Sequence, residues 1–339
     1  MQINTDYIQP AELTGFAREA LVDLEQNQFT LSAFLPSSPV DDLQYRFNRG
    51  GVGLADAATF RSYDAEASIG RRPGTVRVTG DLPPVSRKIR LGEYDRLRQR
   101  KADESIRGGL FDDTVNMVTA VAARLELARG SALSAAQVSL NEDGVIANVD
   151  FGRRAAHTGV APAALWSNSA TATPIADIIA WVTTYRKNNG GKTPGAFLTS
   201  QTVLSNILRS QEVRGLAAAN GVTPSIISPL VLNTILQAYG LPPIVLNDAQ
   251  IAVNGVATRV IPENNFLMLP AVGDTQLGGT LWGTTAESLE EDYDLAGNEP
   301  GIVAGTYHTF DPVAVWTKAA AIALPVLANP DLTFQAVVI

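Results

Sequence analysis

The sequence predicts an α+β fold, and three observations support this class. Residues 93–130 carry apolar side chains at three- and four-residue spacing, which is typical of a helix about 50 Å long. Two runs of strand-forming residues turn at Asp143-Gly144 and Asn254-Gly255, which favour β-hairpins. Between the hairpins, helical patterns surround a buried strand. At 339 residues, the chain is long enough for two or three compact lobes.

The N-terminal third begins with a predicted amphipathic helix over 10–26, which packs by one apolar face. Residues 27–92 are short β-rich runs broken by Gly and Pro, without the apolar periodicity of a core. They predict a long extended excursion. The helix over 93–130 follows, with Gly108-Gly109 as a candidate kink and Gly130 as its expected end.

The middle of the chain predicts an independent lobe. A hairpin spans 135–152, and helices begin at Pro174, at Ser200 and at Pro229, with the buried strand 195–200 between the first two. Beyond Gly278 the chain is β-rich and acidic. Its last residues alternate as one apolar face of a strand, which predicts a buried C-terminus: Leu332, Phe334, Ala336 and Val338.

Composition excludes several classes of chemistry. The chain has no cysteine, so disulfides, thiolate nucleophiles and zinc-thiolate sites are ruled out. No signal peptide is predicted, because residues 1–16 lack a basic region followed by an apolar one. No membrane span is predicted either, because the most apolar late run, 319–328, is short and broken by Pro325. A net charge of −8 argues against a protein that coats DNA with its whole surface.

No sequence motif predicts a catalytic, cofactor-binding or metal-binding residue. NNGGKT resembles a phosphate loop, but Arg186 stands where that motif needs glycine. DYDLAG resembles the start of a calcium loop, but Val303 stands where glutamate must close it. His157 and His308 have no carboxylate or serine constellation nearby and are predicted to be ordinary surface or core residues. The chain is therefore not expected to be an enzyme.

Two charged segments stand out. Residues 71–100 carry nine Arg and Lys against three Asp and Glu, so the remaining 309 residues carry a net charge of −14. A nucleic-acid platform would interleave aromatic residues, yet Tyr94 is the only one there. A basic surface that faces a partner is favoured. The strongest acidic run, 287–294, has five carboxylates in eight residues.

Five segments, in this order and spacing, resemble the phage lambda major head protein family, also called capsid protein E. They are 86–104 (SRKIRLGEYDRLRQRKADE), 149–153 (VDFGR), 165–167 (LWS), 260–269 (VIPENNFLML) and 324–339 (LPVLANPDLTFQAVVI). The resemblance implies the tailed-phage major capsid fold of the Hong Kong ninety-seven type. Its implied parts are an N-terminal arm (1–45), an extended E-loop (46–92), a spine helix with the first part of a peripheral domain (93–165), an axial domain (166–272) and peripheral β segments with the C-terminal strand (273–339).

The implied function is structural. The resemblance implies hexamers and pentamers that form an icosahedral shell around double-stranded DNA, bound without sequence specificity, in a virion assembled in the host cytoplasm. Implied partners are a separate scaffolding protein, a portal and, as a further candidate, a decoration protein. No cofactor or membrane is implied. Two alternatives remain: an encapsulin-like compartment shell, and a nucleic-acid-binding protein that uses residues 71–100.

Charge complementarity suggests how subunits meet. We expect the basic loop (residues 71–100) of one subunit to lie over the acidic run (residues 287–294) of a neighbour. The candidate contact residues are Arg71, Arg72, Arg77, Arg87, Lys88 and Arg90 on the basic side, and Glu287, Glu290, Glu291, Asp292 and Asp294 on the acidic side.

Overall fold

A computed structural model describes the chain except for residues 1, 4, 6, 50–57, 59, 65, 67–75, 95, 96, 98–102, 143, 144, 219–222, 226, 296–298 and 312, and the side chains of 2, 47–49, 76–78, 103–105 and 145–147. The chain forms two compact units. The first comprises Met1–Arg46, Thr79–Arg129 and Gly279–Val326. The second comprises Phe47–Val78, Gly130–Gly278 and Leu327–Ile339.

Helices and strands alternate along the chain, which confirms the α+β class. The helices are α1 (Pro10–Asn27), α2 (Asp103–Ala135), α3 (Pro174–Asn188), α4 (Gln201–Arg209), α5 (Gln211–Leu216) and α6 (Pro229–Ala238). The strands are β1 (Gln2–Ile3), β2 (Ser37–Pro39), β3 (Gln44–Arg49), β4 (Val76–Asp81), β5 (Pro84–Leu91), β6 (Gln137–Glu142), β7 (Val145–Asp150), β8 (Ala196–Thr199), β9 (Ile244–Leu246), β10 (Gln250–Val253), β11 (Val256–Arg259), β12 (Asn265–Leu269), β13 (Gly278–Gly283), β14 (Val303–Phe310), β15 (Val313–Leu327) and β16 (Phe334–Val337).

The first unit is built on a six-stranded sheet in the order β1-β14-β15-β13-β2, with β5 also paired to β15. The long strand β15 pairs antiparallel with both β14 and β5. Helix α1 packs on β14, where the Thr14 hydroxyl donates to the Ala304 carbonyl oxygen at 3.0 Å and accepts from the Ala304 amide at 3.2 Å. Part of the predicted extended excursion therefore belongs to a sheet.

Helix α2 has 33 residues, which at 1.5 Å per residue is about 50 Å. It continues through Gly108-Gly109 and ends at Ala135, where the next residue, Ala136, adopts a left-handed φ of 53°. The prediction that Gly130 ends this helix is wrong. Glycine is needed there because the chain at Val260 lies so close that no side chain would fit.

The second unit has a four-stranded sheet in the order β16-β12-β8-β9, in which only β8 and β9 run parallel. Its core contains Trp166, Trp181, Phe266 and Phe334, all buried. The predicted helices α3, α4 and α6 and both hairpins are confirmed, whereas the short α5 was not predicted.

Two local predictions in this unit are confirmed in detail. Asn254 and Gly255 have φ values of 51° and 80°, the pair of left-handed residues that a tight hairpin between β10 and β11 requires. The alternating C-terminal face is buried, as expected, at Leu332, Phe334, Ala336 and Val338.

Candidate assembly surface

Strand β5 carries three exposed basic side chains on the sheet of the first unit: Arg87, Lys88 and Arg90. Its register places Lys88 opposite Lys318 of β15, and two like charges at such a position repel each other. Each ammonium has its own partner. The Lys88 Nζ lies 4.7 Å from the ring centroid of Trp316, and Lys318 forms an ion pair with Glu287. The ion pair between Lys318 and Glu287 places the acidic run next to the basic part of the sheet.

The acidic run folds as two short 3-10 turns, Glu287–Leu289 and Glu291–Tyr293. Tyr293 holds them against β14, since its ring lies where a Cβ on Gly305 would be only 2.5 Å away. Burial raises the pKa of Tyr293 to about 12, with smaller contributions from Glu287, Tyr307 and Glu290. The ring is therefore a neutral anchor for an acidic surface.

The structure brings part of both candidate sets to one cavity of about 710 Å³. Arg87 and Lys88 line it from β5, and Glu290 and Asp292 line it from the acidic turns. No ion pair joins these residues within the described part of the chain. Charges of both signs thus lie in the same chain around a shared space without neutralising each other directly.

The remaining candidate contact residues belong to β5, to β4, to the acidic turns or to segments outside the described residues. Arg90 is exposed on β5, and Glu291 and Asp294 are exposed on the acidic turns. Arg77 lies in β4, but its side chain is not described, and Arg71 and Arg72 lie outside the described residues. Their role between subunits stays a prediction.

The decisive observation is a family match. The model of phage major capsid protein E matches residues 48–338. The chain belongs to that family. It is a structural protein of the phage shell and not an enzyme. It is a component of the virion, and subunits of this kind assemble with copies of themselves.

Solved structures share the fold of this capsid protein. A candidate prophage capsid protein from Escherichia coli CFT073 has a TM-score of 0.63 at 12% identity, over 95% of this chain and 99% of that one. A phage-related protein from Bordetella bronchiseptica RB50 has a TM-score of 0.62 at 13% identity, over 95% of each chain. No curated protein matches by sequence.

The compartment alternative receives less support. An encapsulin from Synechococcus elongatus PCC 7942 matches with a TM-score of 0.46 at 12% identity, over 92% of this chain and 88% of that one. That similarity is too low to carry an argument. The family match favours the phage shell instead.

A buried arginine that sequence analysis did not single out organises the second unit of the capsid protein. Arg153 donates to the carbonyl oxygens of Leu133 and Ser134 at 3.2 and 2.7 Å, in the last turn of α2. It also donates to Thr333 Oγ1 and Gln335 Oε1, both at 3.1 Å. Burial lowers the pKa of Arg153 to about 10. Its only signal in the sequence was its place in VDFGR.

His157 is a core residue, one of the two placements that the sequence left open. Its Nδ1 lies 2.9 Å from the Asp331 carbonyl oxygen, and its Nε2 lies 2.9 Å from the Asn188 side-chain amide. The neutral ring satisfies both contacts, because Nδ1–H donates and Nε2 accepts. Burial lowers the pKa of His157, which favours this neutral form.

The described part of the capsid protein offers neither a membrane-spanning helix nor a metal-binding cluster. None of its helices is long and apolar enough to cross a bilayer. No group of three or more His, Asp or Glu side chains there could hold a metal ion.

Proposed function

We propose that this capsid protein forms the hexamers and pentamers of an icosahedral shell around double-stranded DNA. The observation that carries the proposal is the match to phage major capsid protein E over 48–338. The packaged DNA is bound without sequence specificity. A net charge of −14 outside residues 71–100 suits this role, because an inner wall that bound phosphate tightly would impede packing and release of the genome.

Within that shell, residues 166–272 form the axial domain and α2 serves as the spine of the peripheral domain. The aromatic core around Trp166, Trp181 and Phe266, to which Phe334 of β16 also contributes, supports an axial domain with a core distinct from that of the first unit. The boundaries 1–45, 46–92, 93–165, 166–272 and 273–339 remain the proposed division of the chain.

Neighbouring subunits meet through the basic loop and the acidic turns. The carboxylates of Glu290, Glu291, Asp292 and Asp294 support this contact, because they are exposed and form no ion pair within the described residues. A single exposed pair contributes only about 0 to 1 kcal/mol. Because the same ion pairs recur around every capsomer, their small free energies add up, and their charge complementarity sets the register between subunits.

Assembly takes place in the host cytoplasm with a separate scaffolding protein and a portal, and a decoration protein is a further candidate partner. Membership in the capsid protein E family supports these partners.

Electron microscopy of the purified protein, expressed alone and with its scaffold, tests the proposed function. Closed shells with DNA-free interiors are expected. Small shells filled with an enzyme cargo would favour the compartment alternative. Unassembled protein that retards DNA in a gel would favour nucleic-acid binding by residues 71–100 and contradict the shell.

A further inference from the structure

A buried charge cluster joins α1 to α2 in the first unit. Arg129 of α2 is fully buried, with a side-chain exposure of 0%. Its Nη2 donates to Glu25 Oε1 of α1 at 2.5 Å, and its Nε donates to Thr280 Oγ1 of β13 at 2.9 Å. The Thr280 hydroxyl donates onward to the Leu35 carbonyl oxygen at 2.9 Å.

Glu126 brings a second carboxylate into the same place. It lies one turn before Arg129 on α2, and only 1% of its side chain is exposed. Its Oε1 accepts from the Leu31 amide at 3.0 Å, at the turn Thr30–Ala33. Its Oε2 lies 3.5 Å from Arg129 Nη1, and neither atom has a hydrogen-bond partner in the described part of the chain. We call Glu25, Glu126, Arg129 and the Leu31 amide the arm junction.

The charges of the arm junction do not balance when every group is ionised. Two carboxylates face one guanidinium, which leaves a net charge of −1 in a buried site. The charged groups that face Glu126 are Glu25 from α1 and Arg129 from its own helix. The turn Thr30–Ala33 contributes only an amide, and β13 contributes only the Thr280 hydroxyl on Arg129. A proton on Glu126 removes the excess charge.

The balance of these influences favours that proton. Burial raises the pKa of Glu126, the Leu31 amide and Arg129 lower it, and the charge of Glu25 raises it again, with a net rise. An uncompensated buried carboxylate is costly, so the group takes up a proton instead.

We propose that the arm junction is a proton-controlled latch that holds residues 10–39 on α2 while Glu126 is protonated and loosens them when the proton leaves. This inference goes beyond the proposed function, since it concerns the folded subunit whether or not shells form. A carboxyl group that holds its proton more tightly in the folded state contributes stability below its unfolded pKa. That contribution is lost as the pH rises through the folded pKa.

Hydrogen exchange of the unassembled subunit between pH 5 and 8.5, corrected for intrinsic rates, tests the latch. Peptides that cover residues 10–39 should lose protection as pH rises, about tenfold for each unit by which folding raises the pKa. Glu126→Gln keeps an acceptor for the Leu31 amide and carries no charge, so its protection should not change with pH.

Two further variants separate charge balance from packing. Glu25→Gln leaves Glu126 and Arg129 as a balanced pair, so it should reduce the pH dependence without touching Glu126, while burial, the largest cause of the raised pKa, remains. The matched control is Glu12→Gln on the same helix, where Glu12 forms an exposed ion pair with Arg107 at 2.6 Å. That control should keep the wild-type pH profile.

Several results would overturn the latch. Protection of 10–39 that does not change with pH in the wild-type subunit contradicts it, as does a wild-type profile in Glu126→Gln. If Glu126→Gln fails to fold, Glu25→Gln decides: an unchanged pH dependence there contradicts the proposal.

Discussion

A Cβ atom on Gly130 would lie 2.2 Å from the carbonyl oxygen of Val260 and 2.6 Å from its Cγ1 atom. Helix α2 therefore touches the segment between β11 and β12 through bare backbone at this residue. The contact explains why a glycine stands five residues before the helix ends, where it would otherwise weaken the helix.

Gly130→Ala should destabilise the second unit. The added methyl group must displace the backbone at Val260, and such overpacking costs about 1–3 kcal/mol. Urea denaturation monitored by tryptophan fluorescence measures the loss. Gly108→Ala and Gly109→Ala are matched controls on the same helix, because a Cβ there meets nothing within 4 Å. Each control should stabilise by about 0.5–1 kcal/mol, and equal effects at all three positions would contradict the close contact.

Arg153→Met should lower the free energy of unfolding by about 2–5 kcal/mol. Methionine fills the volume but leaves the buried carbonyl oxygens of Leu133 and Ser134 without a donor, and each such loss costs about 1–3 kcal/mol. Chemical denaturation provides the measurement. Arg154→Met is the control, since its ion pair with Asp331 is half exposed and should contribute no more than about 1 kcal/mol. A similar small loss for both variants would argue against Arg153 as an organising residue.

Thr14→Val should loosen the contact between α1 and β14. The isosteric change removes the hydroxyl that bonds both the amide and the carbonyl oxygen of Ala304, at a cost of about 1–3 kcal/mol. Hydrogen exchange at Ala304 should accelerate accordingly. Thr14→Ser keeps the hydroxyl and should retain most of the protection. If serine and valine behave alike, the hydroxyl is not what holds the two elements together.

Charge reversal should distinguish a contact between two subunits from a contact within one subunit. Replacing Arg71, Arg72 and Arg77 by Glu should leave the subunit folded but block closed shells, which electron microscopy detects. Replacing Glu290, Glu291 and Asp292 by Lys should do the same. The second change affects only exposed side chains.

Mixing the two charge-reversed proteins gives the sharper result. In a hexamer where they alternate, every loop meets a turn of opposite charge on its neighbour, so hexamers should reappear, whereas a pentamer cannot alternate completely. Recovery in a single chain that carries all six changes, without recovery in the mixture, would place the contact inside the subunit. Normal shells from the first variant alone would show that the basic loop is not needed for assembly. Raising the salt concentration should weaken the recovered hexamers, because exposed charges are screened.

Short-range patterns allowed much of the secondary structure to be predicted. Apolar spacing over 10–26 placed α1 to within a residue, and Asn254-Gly255 placed the β10–β11 hairpin, because both signals act between residues a few positions apart. The alternation that ends at Val338 likewise identified a buried face. The six-residue helix α5 carries too short a pattern to be recognised.

The candidate site was only partly accessible from the sequence. Charge clustering identified β5 and the acidic turns. It could not show that Lys88 lies over Trp316 or that Lys318 binds Glu287, since these pairings depend on the register between β5 and β15 and on how the turns fold back.

By itself, the sequence determined the α+β class, the position of most helices and hairpins, and the resemblance to capsid protein E, all of which depend on local order along the chain. The tertiary structure alone decided which charges are buried. Glu25 and Arg129 are 104 positions apart, and Arg153 and Thr333 are 180 apart. A charged side chain becomes stable in a core only when distant residues supply its partners, and no local pattern in the sequence specifies which residues those are.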